Sequence, residues 1–448
     1  MQMQQPAKLK APSLDVMNFL NEVTTWYPSA ISFAPGRPAE QFFNVQSELD
    51  ALARYAAHLA EVSHRPQSTI FNQLGQYQKT NGIINDLLCR FLERDEDIST
   101  TPRAIMVTDG CQEGMTILLA GLFDPVQDVL LAMDPTYTGI TGIAAVLGVE
   151  IYPIPNSWTG IDLTALKSGI QDIRNQGKNP RAIYVTPDFN NPLGSSMPLA
   201  ERQELLDLAL ANNLLLFEDN AYGMFAYDSE SMPTLKSMDR EGVVIYLGTF
   251  SKLIFPGLRL GFLVADQEVI TQDTTKCCYL AEELSKVKSF TTVTTSALLQ
   301  AIAGGILLES DCSLRERISQ KVAFYRSNRD TMLRCLDECF NSDAELAGRV
   351  SWNHPHGGFF LSVELPFAFT ADMMQQCAEQ YGVICCPMSF FSLLGKYENQ
   401  VRLSFSYVTQ DEIERGMAQF HKFVHDTVIA RRGLSEELSQ SKGESYVK

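Results

Sequence analysis

The sequence predicts an α/β protein with a doubly wound, mostly parallel sheet and a second, smaller α+β domain. Short β-branched or apolar runs alternate with amphipathic helical stretches through the central part of the chain, which is typical of such sheets. Two runs, 129–131 and 214–217, are apolar at every position, as strands covered on both faces are. A buried helix has a similar pattern, and the flanking Asp, Pro and Asn residues favour strands.

The individual elements follow from the same patterns. Strands of the large sheet are predicted at seven places, namely 104–108, 128–133, 150–154, 182–186, 214–218, 243–249 and 261–265. Helices are predicted between several of them, at 112–123, 163–175 and 199–211. Outside this region the alternation stops, with helices predicted at 13–27, 321–339 and 411–430 and a strand at 359–364.

The two ends of the chain are therefore expected to share the smaller domain. Residues 1–70 are predicted to be an N-terminal segment that joins it, residues 71–320 to form the large domain, and residues 321–430 to complete the small one. A chain of 448 residues is longer than one hydrophobic core normally serves. Residues 431–448 are rich in Ser, Glu and Lys and are predicted to be a disordered tail.

Composition excludes several classes of partner. The 53 Asp and Glu residues outnumber the 36 Lys and Arg residues, so the net charge is −17 and nucleic acid or an anionic membrane would be repelled. The longest apolar stretch, 297–308, contains Gln300, Gly304 and Gly305 and is too short to span a bilayer. The ten cysteines form no pair of CxxC motifs, and residues 1–10 lack the apolar part of a leader. We expect reduced thiols and a cytoplasmic protein.

Polar residues follow the ends of the predicted strands, where ligands of open α/β sheets bind. Gly110 leads from a strand into a helix, a turn that exposes N–H groups to an anion such as phosphate or serves packing alone. Tyr137 follows the next strand and would stack on a planar ring or simply pack. The Asn-Pro-x-Gly turn at 191–194 offers a rigid amide, although it is equally satisfied as a β-turn.

A carboxylate and a lysine follow two further strands. Asp219 leaves a buried strand, so it needs a cation, either Lys or Arg or a protonated ring nitrogen. Lys252 lies among hydroxyl groups with Arg259 seven residues further on, and a second cation lowers the pKa of a nucleophilic lysine and binds phosphate. Each feature has a structural explanation, but the set matches what a pyridine-ring aldehyde phosphate requires.

Four motifs carry a resemblance to a known family. They are Thr-Phe-Ser-Lys-x-x-x-Pro-Gly-x-Arg-x-Gly at 249–261, Asn-Pro-x-Gly at 191–194, Glu-Asp-Asn-x-Tyr at 218–222 and Val-Arg-Leu-Ser-Phe-Ser at 401–406. From about Phe19 to Phe423 the chain resembles fold-type I pyridoxal-phosphate enzymes of the class I/II aminotransferase group. Residues 21–40 and Met-Ser-x-Phe at 388–391 look most like the 3,5-dihydroxyphenylglycine transaminases of peptide-antibiotic pathways.

The resemblance implies a role for each matching residue. Lys252 would form the Schiff base and move the proton between substrate and cofactor, with Asp219 paired to the pyridinium nitrogen. Tyr222 and Asn191 would hydrogen-bond the ring oxygen, and Tyr137 would stack on the ring. The contacts to the phosphate of pyridoxal 5'-phosphate would come from Gly110, Cys111, Gln112, Thr249, Ser251 and Arg259.

Further residues are implied for the substrate and for a partner subunit. Arg402 would clamp the substrate carboxylate, with Gly36 and Arg37 on the substrate side. Tyr77 would reach the phosphate of a neighbouring subunit, so a homodimer with active sites at the subunit interface is expected. The chain departs from the family pattern at Cys111, where Ser is usual, and also at Gln78 and Ala221, where Gly and Pro are common.

Amino-group transfer between an amino acid, aromatic or phenylglycine-like, and a 2-oxo acid in secondary metabolism is the predicted function. The same residues serve decarboxylation, elimination or replacement, oxidation and carbon–carbon bond formation, which stay open. A ligand-sensing regulator needs an added N-terminal DNA-binding domain with a basic face, for which the resemblance from Phe19 onwards leaves no room. His354 and His356 lack further ligand spacing, and we assign no metal. An aromatic or apolar substrate pocket is predicted from Phe33, Phe42, Phe43 and Phe390.

Overall fold

The computed structural model describes residues 4, 12–228, 231–270 and 277–444. Its α-helices are, in chain order, α1 (Pro12–Trp26), α2 (Val45–Ser63), α3 (Gln67–Leu74), α4 (Asn85–Glu96), α5 (Cys111–Leu122), α6 (Thr138–Leu147), α7 (Leu163–Asn175), α8 (Leu199–Asn212), α9 (Leu235–Met238), α10 (Leu280–Thr291), α11 (Ala297–Glu309), α12 (Arg315–Asn341), α13 (Ala371–Tyr381) and α14 (Gln410–Glu444). Its strands are β1 (Ile31–Ser32), β2 (Ile105–Thr108), β3 (Asp128–Asp134), β4 (Glu150–Ser157), β5 (Gly160–Ile161), β6 (Asn179–Val185), β7 (Leu215–Asn220), β8 (Val244–Thr249), β9 (Gly261–Val264), β10 (Glu268–Ile270), β11 (Cys277–Tyr279), β12 (Ser351–Trp352), β13 (Phe360–Glu364), β14 (Val383–Ile384), β15 (Cys386–Pro387) and β16 (Gln400–Ser404).

The large sheet contains all seven predicted strands. Its order is β2-β9-β8-β7-β6-β3-β4-β5, where β5 is a two-residue strand antiparallel to β4. The pairs β8/β7, β7/β6, β6/β3 and β3/β4 are parallel, and β9 is antiparallel to both of its neighbours. The predicted fold class is confirmed, and the mostly parallel arrangement brings the ends of β3, β6, β7 and β8 to one edge.

Helices cover both faces of this sheet. Along β3, Val129 and Leu131 belong to one buried apolar cluster, whereas Leu130 and Ala132 belong to another. Since successive side chains of a strand point to opposite faces, a strand buried on both faces has to be apolar at every position. This is the physical basis of the continuous apolar runs in the sequence.

The smaller domain is built around an antiparallel sheet of order β12-β13-β16-β15, with α12, α13 and α14. Only part of the predicted N-terminal segment joins it. β1 pairs with β14, but α1 packs on α6 and α2 packs on α11, both in the large domain. A side chain at Gly305 would collide with the backbone of Ala51, which shows how closely α2 lies against α11. Residues 12–70 therefore bury their apolar faces against both domains, and the predicted domain bounds stay predictions.

The end of the chain is helical where the structure describes it. Most of the predicted tail continues α14, which runs to Glu444, and residues 445–448 lie outside the described residues. The segment has few apolar residues, but Glu, Leu, Gln and Lys are good helix formers and extend a helix that has already started. No helix in the described part of the chain is long and apolar enough to cross a membrane.

Candidate active site

A cavity of about 440 Å³ lies at the sheet edge where these strand ends meet. Loops after β2, β3, β6, β7 and β8 contribute to it, together with the loop after β1 and strand β16. The predicted site residues that line it are Gly36, Arg37, Cys111, Gln112, Tyr137, Asn191, Asp219, Tyr222, Thr249, Ser251, Lys252, Arg259 and Arg402. Its volume is in the range of small-molecule sites.

Asp219 presents one unpartnered oxygen in this cavity. The carboxylate, 6% exposed, lies near the end of β7, and its Oδ2 accepts a hydrogen bond from Tyr184 Oη at 2.6 Å. Its Oδ1 is buried and has no hydrogen-bond partner. Burial raises the pKa of Asp219 to about 6, although the Tyr184 hydrogen bond and the charge of Lys252 lower it in part. A buried carboxylate oxygen without a partner is costly, so the site favours a cationic or N–H-bearing ligand there.

Lys252 lies beyond the end of β8 and is partly exposed within the cavity. Its Nζ donates to the carbonyl oxygen of Gly36 at 2.9 Å and lies 5.9 Å from the ring centroid of Tyr222. Burial lowers the pKa of Lys252 to about 8, and the nearby cations Arg259 and Arg402 lower it further. A lysine with a pKa near 8 has a substantial uncharged fraction near neutral pH, which is the nucleophilic form.

An anion site lies at the start of α5. Cys111 and Gln112 are the first two residues of this helix, whose first-turn N–H groups have no acceptor within the helix. Arg259 Nη1 donates to Ser251 Oγ at 3.4 Å, and a Cβ built on Gly110 would lie 2.6 Å from Arg259 Nη2. No carboxylate in the described part of the chain forms an ion pair with Arg259. The cation, the hydroxyl and the helix start together suit a phosphate.

The cysteine at this helix start makes a hydrogen bond of its own. Cys111 Sγ donates to the carbonyl oxygen of Gly248 at 3.2 Å. Burial raises the pKa of the Cys111 thiol well above its ordinary value, so the thiol stays protonated and adds no charge to the anion site.

Aromatic rings form two walls of the cavity. Tyr137 follows β3, and its Oη donates to Gln112 Oε1 at 3.4 Å, while Gln112 Nε2 donates to the carbonyl oxygen of Gly139 at 3.0 Å. Tyr222 packs edge-on against Phe360, with ring centroids 5.7 Å apart. Burial raises the pKa of both tyrosines above the ordinary range, so each keeps its phenolic proton.

Arg402 is a buried cation that forms no ion pair with a carboxylate among the described residues. It is 2% exposed, and its guanidinium lies between the rings of Phe360 and Phe391, at 4.4 and 4.5 Å from their centroids. Its Nη1 donates to Asn191 Oδ1 at 2.7 Å, its Nη2 donates to the carbonyl oxygen of Ala34, and its Nε has no partner. Burial lowers the pKa of Arg402, because no carboxylate among the described residues offsets its charge. The arrangement favours an anionic ligand group.

The loop after β1 lines the cavity and contacts Lys252. Besides the Gly36 carbonyl group, it contributes Arg37, whose carbonyl oxygen accepts a hydrogen bond from Ser406 Oγ at 2.7 Å. The charge of Arg37 contributes to lowering the pKa of Lys252. The loop therefore adds both a hydrogen-bond acceptor and a positive charge.

Two predicted site residues do not line the cavity, and neither do the four phenylalanines that were predicted to form a pocket. Gly110 is beside Arg259, Tyr77 is 81% exposed, and neither residue lines the cavity. The pocket prediction is wrong. Phe33, Phe42, Phe43 and Phe390 do not line the cavity, and the last three pack against Phe324, Phe255 and Phe19.

Other residues in or around the cavity were not predicted to be part of it. Met17 and Leu20 reach it from α1, and Phe360 reaches it from β13. From the sequence, Tyr184 was predicted only as a residue of the strand at 182–186. The spacing of Met17 and Leu20 indicates one helix face, but the sequence carries no signal that tells which element this face covers.

Comparisons with known proteins agree with this geometry. The family model described as aminotransferase class I and II matches residues 51–420. The chain is 40% identical to the (S)-3,5-dihydroxyphenylglycine transaminase of Amycolatopsis orientalis over 92% of this chain and 91% of that protein. It is 28% identical to aromatic-amino-acid aminotransferase 1 of Thermococcus litoralis, over 94% and 97% of the two chains.

A solved structure extends the comparison to the fold. The kynurenine aminotransferase of Pyrococcus horikoshii, crystallised with PMP, superposes with a TM-score of 0.77 at 26% identity, covering 95% of this chain and 96% of that one. The match to the family model spans most of the chain and includes both Asp219 and Lys252. The chain therefore belongs to the class I and II aminotransferase family and is an enzyme of the aminotransferase type.

Proposed function

We propose that this aminotransferase binds pyridoxal 5'-phosphate in the cavity and moves an amino group between an aromatic or phenylglycine-like amino acid and a 2-oxo acid in secondary metabolism. The observation that carries the proposal is the buried, unpartnered Oδ1 of Asp219 in the same cavity as Lys252. A protonated pyridine nitrogen would satisfy that oxygen, as the family resemblance implies.

The residues present fit the cofactor at each of its polar groups. The start of α5, with Ser251 and Arg259, suits the phosphate, and Thr249 lines the same cavity. Tyr222 and Asn191 would hydrogen-bond the ring oxygen, and Tyr137 would lie against the ring face. When bound, pyridoxal 5'-phosphate supplies an aldehyde and an electron-accepting ring.

The protein's own side chains would move the proton and hold the substrate. Lys252 in its uncharged form would accept a proton from the substrate Cα and deliver it to the carbon that carries the aldehyde group of the cofactor. Arg402 would hold the substrate carboxylate with two parallel N–H donors, fixing the direction of the Cα–H bond. Asp219 in its ionised form would keep a ring nitrogen protonated. Phe360 and Phe391, on either side of Arg402, would exclude water from that ion pair.

The subunit arrangement and the compartment belong to the same proposal. Tyr77 would complete a phosphate site in a second copy of the chain, and its 81% exposed side chain is available for such a contact. All ten cysteines are free, which supports a reducing compartment such as the cytoplasm. The aromatic donor rests on the names of the relatives, and the biosynthetic role rests on the dihydroxyphenylglycine transaminase alone.

Borohydride treatment and a half-reaction test the proposal. Purified protein should carry a yellow cofactor that borohydride fixes covalently to Lys252, and Lys252→Ala should lose both the label and the activity. An aromatic amino acid added alone should convert the bound cofactor to its amine form and release one equivalent of 2-oxo acid. Release of carbon dioxide, ammonia or an elimination product without the amine form would show a different reaction.

A further inference from the structure

We propose that Lys321 and Tyr325, on one face of α12, are positioning residues for Lys252. Lys321 holds the turn that follows the reactive lysine, and Tyr325 holds the loop that the lysine amine contacts. Neither of the two residues lines the cavity, so both act through backbone groups. The inference deepens the proposed function and rests on it.

Lys321 is a buried cation whose hydrogen bonds go to the turn after Lys252. Its side chain is 6% exposed, and its Nζ donates to the carbonyl oxygens of Leu253 and Ile254, at 2.7 and 3.0 Å. No backbone N–H group of the described residues donates to either oxygen. Lys321 also forms no ion pair with a carboxylate in that part of the chain. A buried cation is costly unless its donors are used, so the two carbonyl groups are the reason for a lysine here.

Tyr325 lies one turn further along the same face of α12. It is fully buried, and its Oη accepts a hydrogen bond from the Ala39 N–H at 3.0 Å. Ala39 belongs to the loop after β1, in which the carbonyl oxygen of Gly36 accepts a hydrogen bond from Lys252 Nζ at 2.9 Å. The backbone next to Lys252 and the acceptor of its amine are therefore both attached to one helix of the smaller domain.

The expected phosphate contacts do not depend on α12 in the same way. The N–H of Ser251, on the other side of Lys252, donates to Thr249 Oγ1 at 3.1 Å, and the anion site at the start of α5 is a separate element. A displacement of a reactive group by about 1 Å costs about a hundredfold in rate. Loss of the Lys321 hydrogen bonds should therefore impair the bond made by Lys252 Nζ more than the noncovalent binding of the cofactor.

The apoprotein and two forms of the cofactor separate these effects. Lys252 Nζ forms a bond to the aldehyde carbon of pyridoxal 5'-phosphate, with loss of water, but it forms none to pyridoxamine 5'-phosphate, which has no aldehyde. In Lys321→Met the rate constant for the covalent bond, followed by absorbance, should fall about tenfold or more. The dissociation constant for pyridoxamine 5'-phosphate should stay within about twofold. Tyr325→Phe keeps the ring that packs on Phe359 and should show the same split with a smaller fall.

Lys236→Met is the matched control. Lys236 is a similarly buried lysine, and its Nζ donates to the carbonyl oxygen of Val244, at the opposite end of β8 from Lys252, and to Asp266 Oδ1. Its replacement should leave the rate constant for the covalent bond and the affinity for pyridoxamine 5'-phosphate unchanged, whatever it costs in stability.

Equal losses of both quantities in Lys321→Met and Tyr325→Phe would show a purely structural role and overturn the inference. No change in either variant would overturn it as well, and both results leave transamination intact. If the wild-type apoprotein forms no bond with pyridoxal 5'-phosphate that borohydride fixes to Lys252, the proposed function itself fails.

Discussion

Tyr184 Oη donates a 2.6 Å hydrogen bond to Asp219 Oδ2, and both residues are buried within two neighbouring parallel strands, β6 and β7. The bond leaves the other carboxylate oxygen of Asp219, Oδ1, without a partner. It also lowers the pKa of Asp219 against the larger effect of burial. Tyr184 therefore positions Asp219 and keeps part of it ionised near neutral pH.

Tyr184→Phe should shift the ionisation of Asp219 in the apoprotein to higher pH. Without the hydroxyl group, the pKa of Asp219 rises above about 6, so a higher pH is needed to ionise the carboxylate that would pair with the cofactor. The measurement is the affinity of the apoprotein for pyridoxal 5'-phosphate between pH 5 and 9. Tyr246→Phe, which removes another buried hydroxyl group from the adjacent strand β8, should leave this pH dependence in place. Identical pH dependences for wild type and Tyr184→Phe would contradict the positioning role.

The stability of the apoprotein should depend on Asp219. Its folded-state pKa of about 6 exceeds the ordinary 3.8, so the folded state binds the proton more tightly than the unfolded state does. Stability therefore falls as pH rises from about 4 to about 6, and the full loss, up to about 3 kcal/mol, persists above that range.

Apo Asp219→Asn should accordingly unfold at higher urea than the wild-type apoprotein at pH 7.5, with the difference disappearing near pH 4. In the same variant the affinity for pyridoxal 5'-phosphate should fall. A variant that is less stable than wild type at pH 7.5 would show that the carboxylate is satisfied in the apoprotein.

Reactivity of Lys252 should follow its lowered pKa. With a pKa of about 8, about a tenth of Lys252 is uncharged at pH 7, against less than a thousandth for an ordinary lysine. Recombination of the apoprotein with pyridoxal 5'-phosphate should therefore accelerate with pH, with a midpoint near 8. Arg259→Gln removes a neighbouring cation and should move this midpoint upwards, whereas Arg240→Gln, on the surface, should not. A midpoint that stays fixed in Arg259→Gln would argue against the electrostatic cause.

Arg402→Lys should cost more in substrate affinity than in stability. A lysine keeps the charge but loses the two parallel donors and the planar group that packs between Phe360 and Phe391. We expect KM for the amino acid to rise about tenfold to a hundredfold, since a charge-assisted bond contributes about 1.5–3 kcal/mol. Isothermal titration with a substrate carboxylate analogue provides the direct measurement. Unchanged binding would exclude Arg402 as the carboxylate clamp.

Gly261→Ala should weaken cofactor binding through the start of α5. A Cβ at this position would lie 2.8 Å from the backbone nitrogen of Cys111, so the helix start must shift. The dissociation constant for pyridoxal 5'-phosphate should rise by about tenfold or more. Gly257→Ala is the control in the same segment, because its nearest contact would be an ordinary 3.8 Å. Equal affinity in the two variants would mean that the helix start does not bind the phosphate.

The sequence by itself determined the sheet and predicted which polar side chains lie at one edge of it. A strand buried on both faces must be apolar throughout, so the sequence alone was sufficient to predict β3 and β7. Parallel strands end at one edge, and for this reason Tyr137, Asn191, Asp219 and Lys252 were predicted to lie close together.

Only the tertiary structure decided which distant segments complete the cavity. Met17 reaches it because α1 packs on α6, and Arg402 reaches it because β16 faces the loop after β1. Phenylalanine is also typical of an aromatic substrate pocket. Four phenylalanines nevertheless pack outside the cavity, namely Phe33, Phe42, Phe43 and Phe390. Apolar side chains carry no local signal that distinguishes burial in a core from contact with a ligand. Only the packing of segments that are distant in sequence distinguishes the two cases, and this packing is driven by burial of the apolar surface of the whole chain.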